Sequence, residues 1–175
     1  IAPDDTPYAC TCPSCTAIGN TEKNATPAVT ELILRLSQRF PRHFFFTTSY
    51  LTTQQVTDKQ LPPNAGVIVS AINFPLRRID GKDAKEKAFA GQLEQWKNVT
   101  KNIYIWDYIN NFDDYLTLMP ILKIARQRLQ FFKQHGASGI FFNGSGSDNA
   151  SHRIDDFFSA FHLQSVSMTF FHDAD

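Results

Sequence analysis

The residues equipped for chemistry in this sequence are a few carboxylates at the ends of apolar runs and a tight group of cysteines. "IAPDD" sets Asp4 and Asp5 at the end of the opening segment, and "NIYIWDYINNF", residues 102 to 112, sets Asp107 directly behind Trp106 in an aromatic, strand-like run. Cleavage of a glycosidic bond generally uses two carboxyl groups, one protonated to help the leaving oxygen depart and one ionised as nucleophile or base. Asp5 and Asp107 are the candidate pair, with Trp106 and Tyr108 as a dry wall that raises a carboxyl pKa or a platform for a sugar ring. Where the substrate's own acetamido group is the nucleophile, a neighbouring Asp and Tyr orient it, and Asp107 with Tyr108 or Asp4 with Asp5 suit that task. The plainer roles are a loop turn for Asp4 and Asp5, and a helix cap or an Arg partner for Asp107.

Tyr50, Asn73, Asn110, Asn111 and Asn143 follow apolar runs and are candidate partners for substrate hydroxyls, although Asn in such positions is also a common turn residue. "CTCPSC" gathers Cys10, Cys12 and Cys15, which are all the cysteines of the chain. Three thiolates on a short loop suit a tetrahedral zinc with a fourth ligand from Asp, His or water. The alternative is one disulfide and a free thiol, favoured in an oxidising compartment. Either would staple the loop after Asp5, a structural task rather than a catalytic one. The histidines are dispersed with no "HExxH", which argues against a His-based catalytic metal, so no cofactor for catalysis is expected. "NGSGSD" has a superficial likeness to a "GxSxG" elbow but no triad around it, and reads as a glycine-rich loop. The sequons at Asn24, Asn98, Asn143 and Asn149 matter only in a eukaryotic secretory pathway.

The elements that must position these groups follow from periodicity. "NATPAVTELILRLSQRFPRH" carries Val29, Leu32, Ile33, Leu36 and Phe40 on one helical face, with Thr26 as cap and Pro27 at the first helical position. "HFFFTTSYLTT" and "GVIVSAINFPL" read as strands joined by a reduced connection through "LPPNAG". A second helix lies in "DAKEKAFAGQLEQWKNVT", with Ala84, Ala88, Leu93 and Trp96 on one face. "NIYIWDY" is the next strand. "LMPILKIARQRLQFFKQHG" is a helix with Ile121, Ile124, Ala125, Leu129 and Phe132 on one side and Gly136 as its stop, and "SGIFFNG" is a strand. Strands that are continuous apolar runs alternating with helices predict a parallel sheet covered by helices. No "GxGxxG" or "GxxxxGK[ST]" opens a helix, which argues against a nucleotide-binding version. Polar residues at the strand ends predict instead a (β/α) barrel, with its site on the rim where those ends converge.

Charge and composition narrow the partners. Lys+Arg number 17 and Asp+Glu 17, so no long-range field draws nucleic acid or an anionic membrane. Hydrophobic residues at 42%, among them 16 Phe, suffice for one core. No apolar run reaches the roughly 18 residues of a membrane span.

"PDD" followed by "CTCPSC", then the amphipathic helix, "TTSY", "IYIWDYINNF" and "GASGIFFNG" together resemble a family of bacterial secreted glycoside-hydrolase-like domains of unknown function, whose barrel is distantly similar to those of alpha-glucuronidases and hexosaminidases. The resemblance spans most of residues 1 to 145. It implies that "IAPDD" ends the fourth barrel strand, that the strands at Phe44, Val67, Ile103 and Ile140 are the fifth to eighth, and that Asp5 matches the family's Asp ahead of the cysteines. Many relatives carry Glu or Gln where this chain has Asn143, which weakens a catalytic role at that position but not sugar binding.

The expectation is therefore one α/β domain over residues 1 to 175, the C-terminal half (strands 4 to 8) of a parallel (β/α) barrel, with 146 to 175 unassigned. A chain of 175 residues is short of the about 250 of a full barrel, so sequence before Ile1 is expected to complete it. The expected function is acid/base chemistry on a glycan, in an extracellular or periplasmic setting. The rivals are a non-catalytic carbohydrate-binding barrel and a metal-stapled interaction scaffold. Self-association is expected if open strand edges pair with a second copy.

Overall fold

The computed structural model describes residues 1–108, 121–143 and 167–170. In chain order the elements are α1 (Pro13–Ile18), α2 (Thr26–Arg39), β1 (Phe45–Ser49), a 3-10 turn (Leu51–Thr53), β2 (Ala65–Ser70), α3 (Ala84–Lys97), β3 (Ile103–Tyr108), α4 (Ile121–Gln134), β4 (Gly139–Asn143) and β5 (Ser167–Phe170). The sheet order is β1-β2-β3-β4-β5. β1 to β4 pair in parallel, and β5 runs antiparallel to β4. The chain is thus an α/β domain with a four-stranded parallel sheet interleaved with helices. β1 and β2 are linked without an α-helix, as the polar, proline-containing connection predicts.

Successive strand residues point to opposite faces, and the two faces differ here. On the helix side Val67, Val69, Ile103, Ile105 and Ile140 pack with Phe89, Leu93 and Trp96 of α3 and Phe132 of α4. Ile103, Ile105, Ile140 and Leu93 are fully buried, and each contributes about 1.5–3 kcal/mol by leaving water. Truncating Ile105 to Ala would cost about 2–5 kcal/mol through lost transfer energy and a residual cavity. The opposite face carries Phe46 and Thr48, Gly66, Ile68 and Ser70, Tyr104, Trp106 and Tyr108, and Phe141 and Asn143, in register across the four strands. None of these belongs to the helix-side core cluster.

α2 begins at Thr26, but Thr26 is not its cap. Its hydroxyl donates to the Gln55 carbonyl at 3.1 Å. The amides of the first turn that lack a helical acceptor go to asparagines, Thr26 N to Asn24 Oδ1 and Ala28 N to Asn20 Oδ1, both at 3.0 Å, which meets the orphan-donor problem of a helix start. α3 is capped by Asp83, whose carboxylate accepts from Lys85 N and Glu86 N. Its buried stripe is Glu86, Phe89, Leu93 and Trp96. Ala84 and Ala88 are exposed, because the larger side chains at the same helical period win the core. α4 stops at Gly136, whose φ of 87° only glycine adopts readily.

Gly66 lies in β2 between Phe46 of β1 and the β3 side, and a Cβ there would come within 2.3 Å of the Asn102 carbonyl oxygen and 2.6 Å of the Phe46 ring. Only a residue without a side chain allows Phe46 and Tyr104 to meet edge-on at 5.2 Å between centroids. Residues 1–5 form no strand. The Ile1 nitrogen nevertheless donates to the Phe46 carbonyl at 2.6 Å, so the chain start runs beside β1.

Candidate functional site at the ends of the parallel strands

Asp107 and Tyr108 close β3 and, being adjacent, point to opposite faces. Asp107 falls in phase with Ile103 and Ile105 and is 0% exposed. Its Oδ2 accepts from Arg128 Nε at 2.7 Å, its Oδ1 accepts from Arg128 Nη2, and the Tyr108 amide donates to Oδ1 at 2.9 Å. Arg128 comes from the middle of α4's buried stripe and is itself 0% exposed. Its remaining Nη1 donates to the Pro75 carbonyl at 2.5 Å, and its guanidinium lies 4.7 Å from the Phe74 ring centre and 5.7 Å from that of Phe132. Burial raises the Asp107 pKa, while the Arg128 guanidinium and the Tyr108 amide oppose the rise. A guanidinium is permanently charged, so its place in the interior depends on this carboxylate.

A different carboxylate meets the tyrosines. Asp5 lies close enough to the Tyr50 hydroxyl to raise its pKa, and its negative charge acts on Tyr108 as well. Burial first, then the Asp5 contact and charge, push the Tyr50 pKa above its ordinary value. Tyr108 is also raised, chiefly by burial, with a hydrogen bond from Ser70 opposing. Tyr50 follows β1, Ser70 ends β2 and Tyr108 ends β3, so three neighbouring parallel strands deliver these groups at their C-terminal ends. Leu51, next to Tyr50, holds φ at 44° without being glycine, a strained conformation of the kind that concentrates at functional sites.

Trp106 extends this surface. Its ring is stacked with Tyr108 at 6.4 Å and meets the edge of Phe141 at 5.3 Å. Its Nε1 is buried with no acceptor among the described residues, unusual because buried donors are nearly always satisfied. Asn143 ends β4 opposite Tyr108 in register. Asn73 is exposed in the turn after β2, where Phe74 N bonds the Ala71 carbonyl. Asn110, Asn111 and the "NGSGSD" loop beyond Asn143 lie outside the described residues.

The structure therefore brings Asp5, Tyr50, Trp106 and Tyr108 to one face and directs Asp107 to the other. Arg128 and Ser70 are the contributors that sequence reading passed over. Arg128 carried a signal, since it sits four residues from both Ile124 and Phe132 in the middle of an apolar stripe.

The Sγ atoms of Cys10, Cys12 and Cys15 all lie within 4.8 Å of one another, a cluster able to hold a metal, and the three are free of disulfides. The Cys15 amide and the neighbouring thiols hold the Cys12 thiol below its ordinary range, whereas hydrogen bonds with Cys12 and Cys10 push Cys15 up to about 11.

Parallel strands whose ends collect a carboxylate, phenols and an indole define an α/β domain with its candidate site at the carboxyl edge of the sheet. Within that class the chain belongs to the family described as Domain of unknown function (DUF4838), which matches residues 1–161 and so includes every residue of this face. No curated protein and no solved structure matches the chain.

Proposed function

We propose that this domain engages a glycan on the face formed by Asp5, Tyr50, Trp106 and Tyr108, as part of a glycoside-hydrolase-like (β/α) barrel working in an extracellular or periplasmic setting. The observation that carries this reading is the gathering of Asp5, Tyr50 and Tyr108 at the strand ends, near enough to act on one another's charge, with the Trp106 ring stacked on Tyr108 and its Nε1 without a partner among the described residues. Aromatic rings offer apolar faces to the C–H surfaces of a sugar, while phenol, carboxylate and indole N–H groups address its hydroxyls. Four parallel strands alternating with helices suit a barrel, in which such groups line the mouth.

The second reading is hydrolysis, favoured by the contact of Asp5 with a phenol at the strand ends. Asp5 is then the carboxylate of the reaction, with Tyr50 holding it. Asp107 supports the face from behind through Arg128, which leaves the Asp5/Asp107 pair without a common cleft. With Asp107 engaged, a substrate whose acetamido group serves as nucleophile fits better than a two-carboxylate mechanism, because the single carboxyl group then required, Asp5, is left to protonate the leaving oxygen.

The test is titration calorimetry and reducing-sugar release on a panel of N-acetylated and uronic-acid oligosaccharides. Trp106→Ala and Tyr108→Ala are expected to abolish binding. Asp5→Asn is expected to abolish turnover and spare binding if the domain hydrolyses its ligand. Binding without turnover in the unmodified chain selects the non-catalytic rival, and no binding to any member of the panel overturns the proposal.

A further inference from the structure

We propose that Cys10, Cys12 and Cys15 form a three-thiolate zinc site that holds α1, with its fourth position taken by solvent. The inference is independent of the glycan reading.

Hydrophobic burial does not account for α1. The helix spans Pro13–Ile18, 6 residues, and buries none of them, while Ile18 and the preceding Tyr8 are 43% and 62% exposed. Helices shorter than about 12–15 residues are marginal in water without packing, so this turn of helix needs another anchor. The thiols are the groups placed to supply one. With zinc–sulfur bonds of about 2.3 Å, a tetrahedral site sets its sulfurs about 3.8 Å apart. The sulfurs here already lie within 4.8 Å of one another, so side-chain rotation closes the site without rebuilding the backbone.

The backbone that presents them is held in place. Thr16 N donates to the Cys12 carbonyl at 2.9 Å and Asn20 N to that of Cys15 at 3.0 Å. Asn20 Nδ2 reaches the Cys10 carbonyl at 3.3 Å, and Gly19, at φ 112°, turns the chain so that Asn20 can also cap α2. These bonds and the short spacing of the cysteines limit the entropy lost in gathering three ligands. Among the described residues no His, Asp or Glu joins the group, which leaves the fourth position to water. On binding, the thiols release their protons to solvent and bind as thiolates.

An alternative pairing would always strand one thiol, and the experiment separates the two. The full chain is purified without chelator or reductant, its zinc is measured by plasma mass spectrometry, and its thiols are titrated before and after EDTA. The expected result is near-stoichiometric zinc, thiols that react only after chelation, and loss of most of the zinc in each of Cys10→Ser, Cys12→Ser and Cys15→Ser with the far-ultraviolet circular dichroism of the sheet retained. A zinc-free chain with an intact mass lighter by two hydrogens overturns the proposal in favour of a disulfide. If the chain emerges with neither zinc nor disulfide, cobalt(II) is added: a thiolate-to-cobalt charge-transfer band sustains the site, and its absence overturns it.

Discussion

Asp107 and Tyr108 are consecutive in β3, yet one is clamped by Arg128 beneath α4 while the other faces Asp5 across the open side of the sheet. Alternation along a strand thereby splits a motif that reads as a unit, "WDY", between a buried ion pair on one face and aromatic rings on the other.

Asp107→Asn should destabilise the fold by about 3–5 kcal/mol, because it leaves a buried guanidinium without its counter-ion. Urea denaturation reads this as a lower midpoint at unchanged slope. The double change Asp107→Leu with Arg128→Met should recover most of the loss, since apolar replacement of a buried pair is often neutral. A stable Asp107→Asn with lost ligand binding would count against the structural role.

Asp5→Asn should leave stability within about 0.5 kcal/mol, as for an exposed position outside the core. It should also lower the Tyr50 pKa part of the way toward its ordinary value: the carboxylate's contribution disappears and burial, the larger cause, stays. Carbon-13 tyrosine NMR across alkaline pH measures the shift, and an unmoved Tyr50 would refute the contact.

Trp106→Phe preserves a ring on the face and removes the Nε1 donor. If that donor bonds the glycan, affinity should fall about 2- to 10-fold, the worth of one neutral hydrogen bond. Calorimetry distinguishes this from the full loss expected of Trp106→Ala.

The start of α3 should be acid-sensitive. Asp83 is held below the usual carboxylate range first by Arg77, then by the Lys85 and Glu86 amides it caps. A depressed carboxyl stabilises the fold above its unfolded-state pKa, and the contribution is lost as pH falls through the lower folded value. Midpoints of denaturation measured from neutral to acid pH should therefore drop less steeply in Asp83→Asn than in the unmodified chain.

The alternation of strands and helices was legible because strands buried in a parallel sheet leave long apolar runs, and α2, α3 and α4 each repeat at the helical period. The face taken by Asp107 was not. Ile103 and Ile105 set one phase of β3 and Tyr104, Trp106 and Tyr108 the other; both are apolar, so hydropathy does not say which meets the helices. The decision rests on Arg128, 21 residues further along. The Asp5–Tyr50 contact is equally invisible locally, since it spans α1 and α2. The Thr26 cap failed for a related reason: the Gln55 carbonyl captured the hydroxyl that a local reading assigned to the helix start.

The edge-on meeting of Phe46 and Tyr104 over Gly66 gives the open surface of the sheet a polarity along the strands. A packed pair of rings stoppers the amino-terminal side, whereas the phenols of Tyr50 and Tyr108, an indole and a carboxylate gather at the far extremity. On the proposed glycan reading, a sugar chain would thus approach from a single direction, and the depth to which it descends would be limited by two rings.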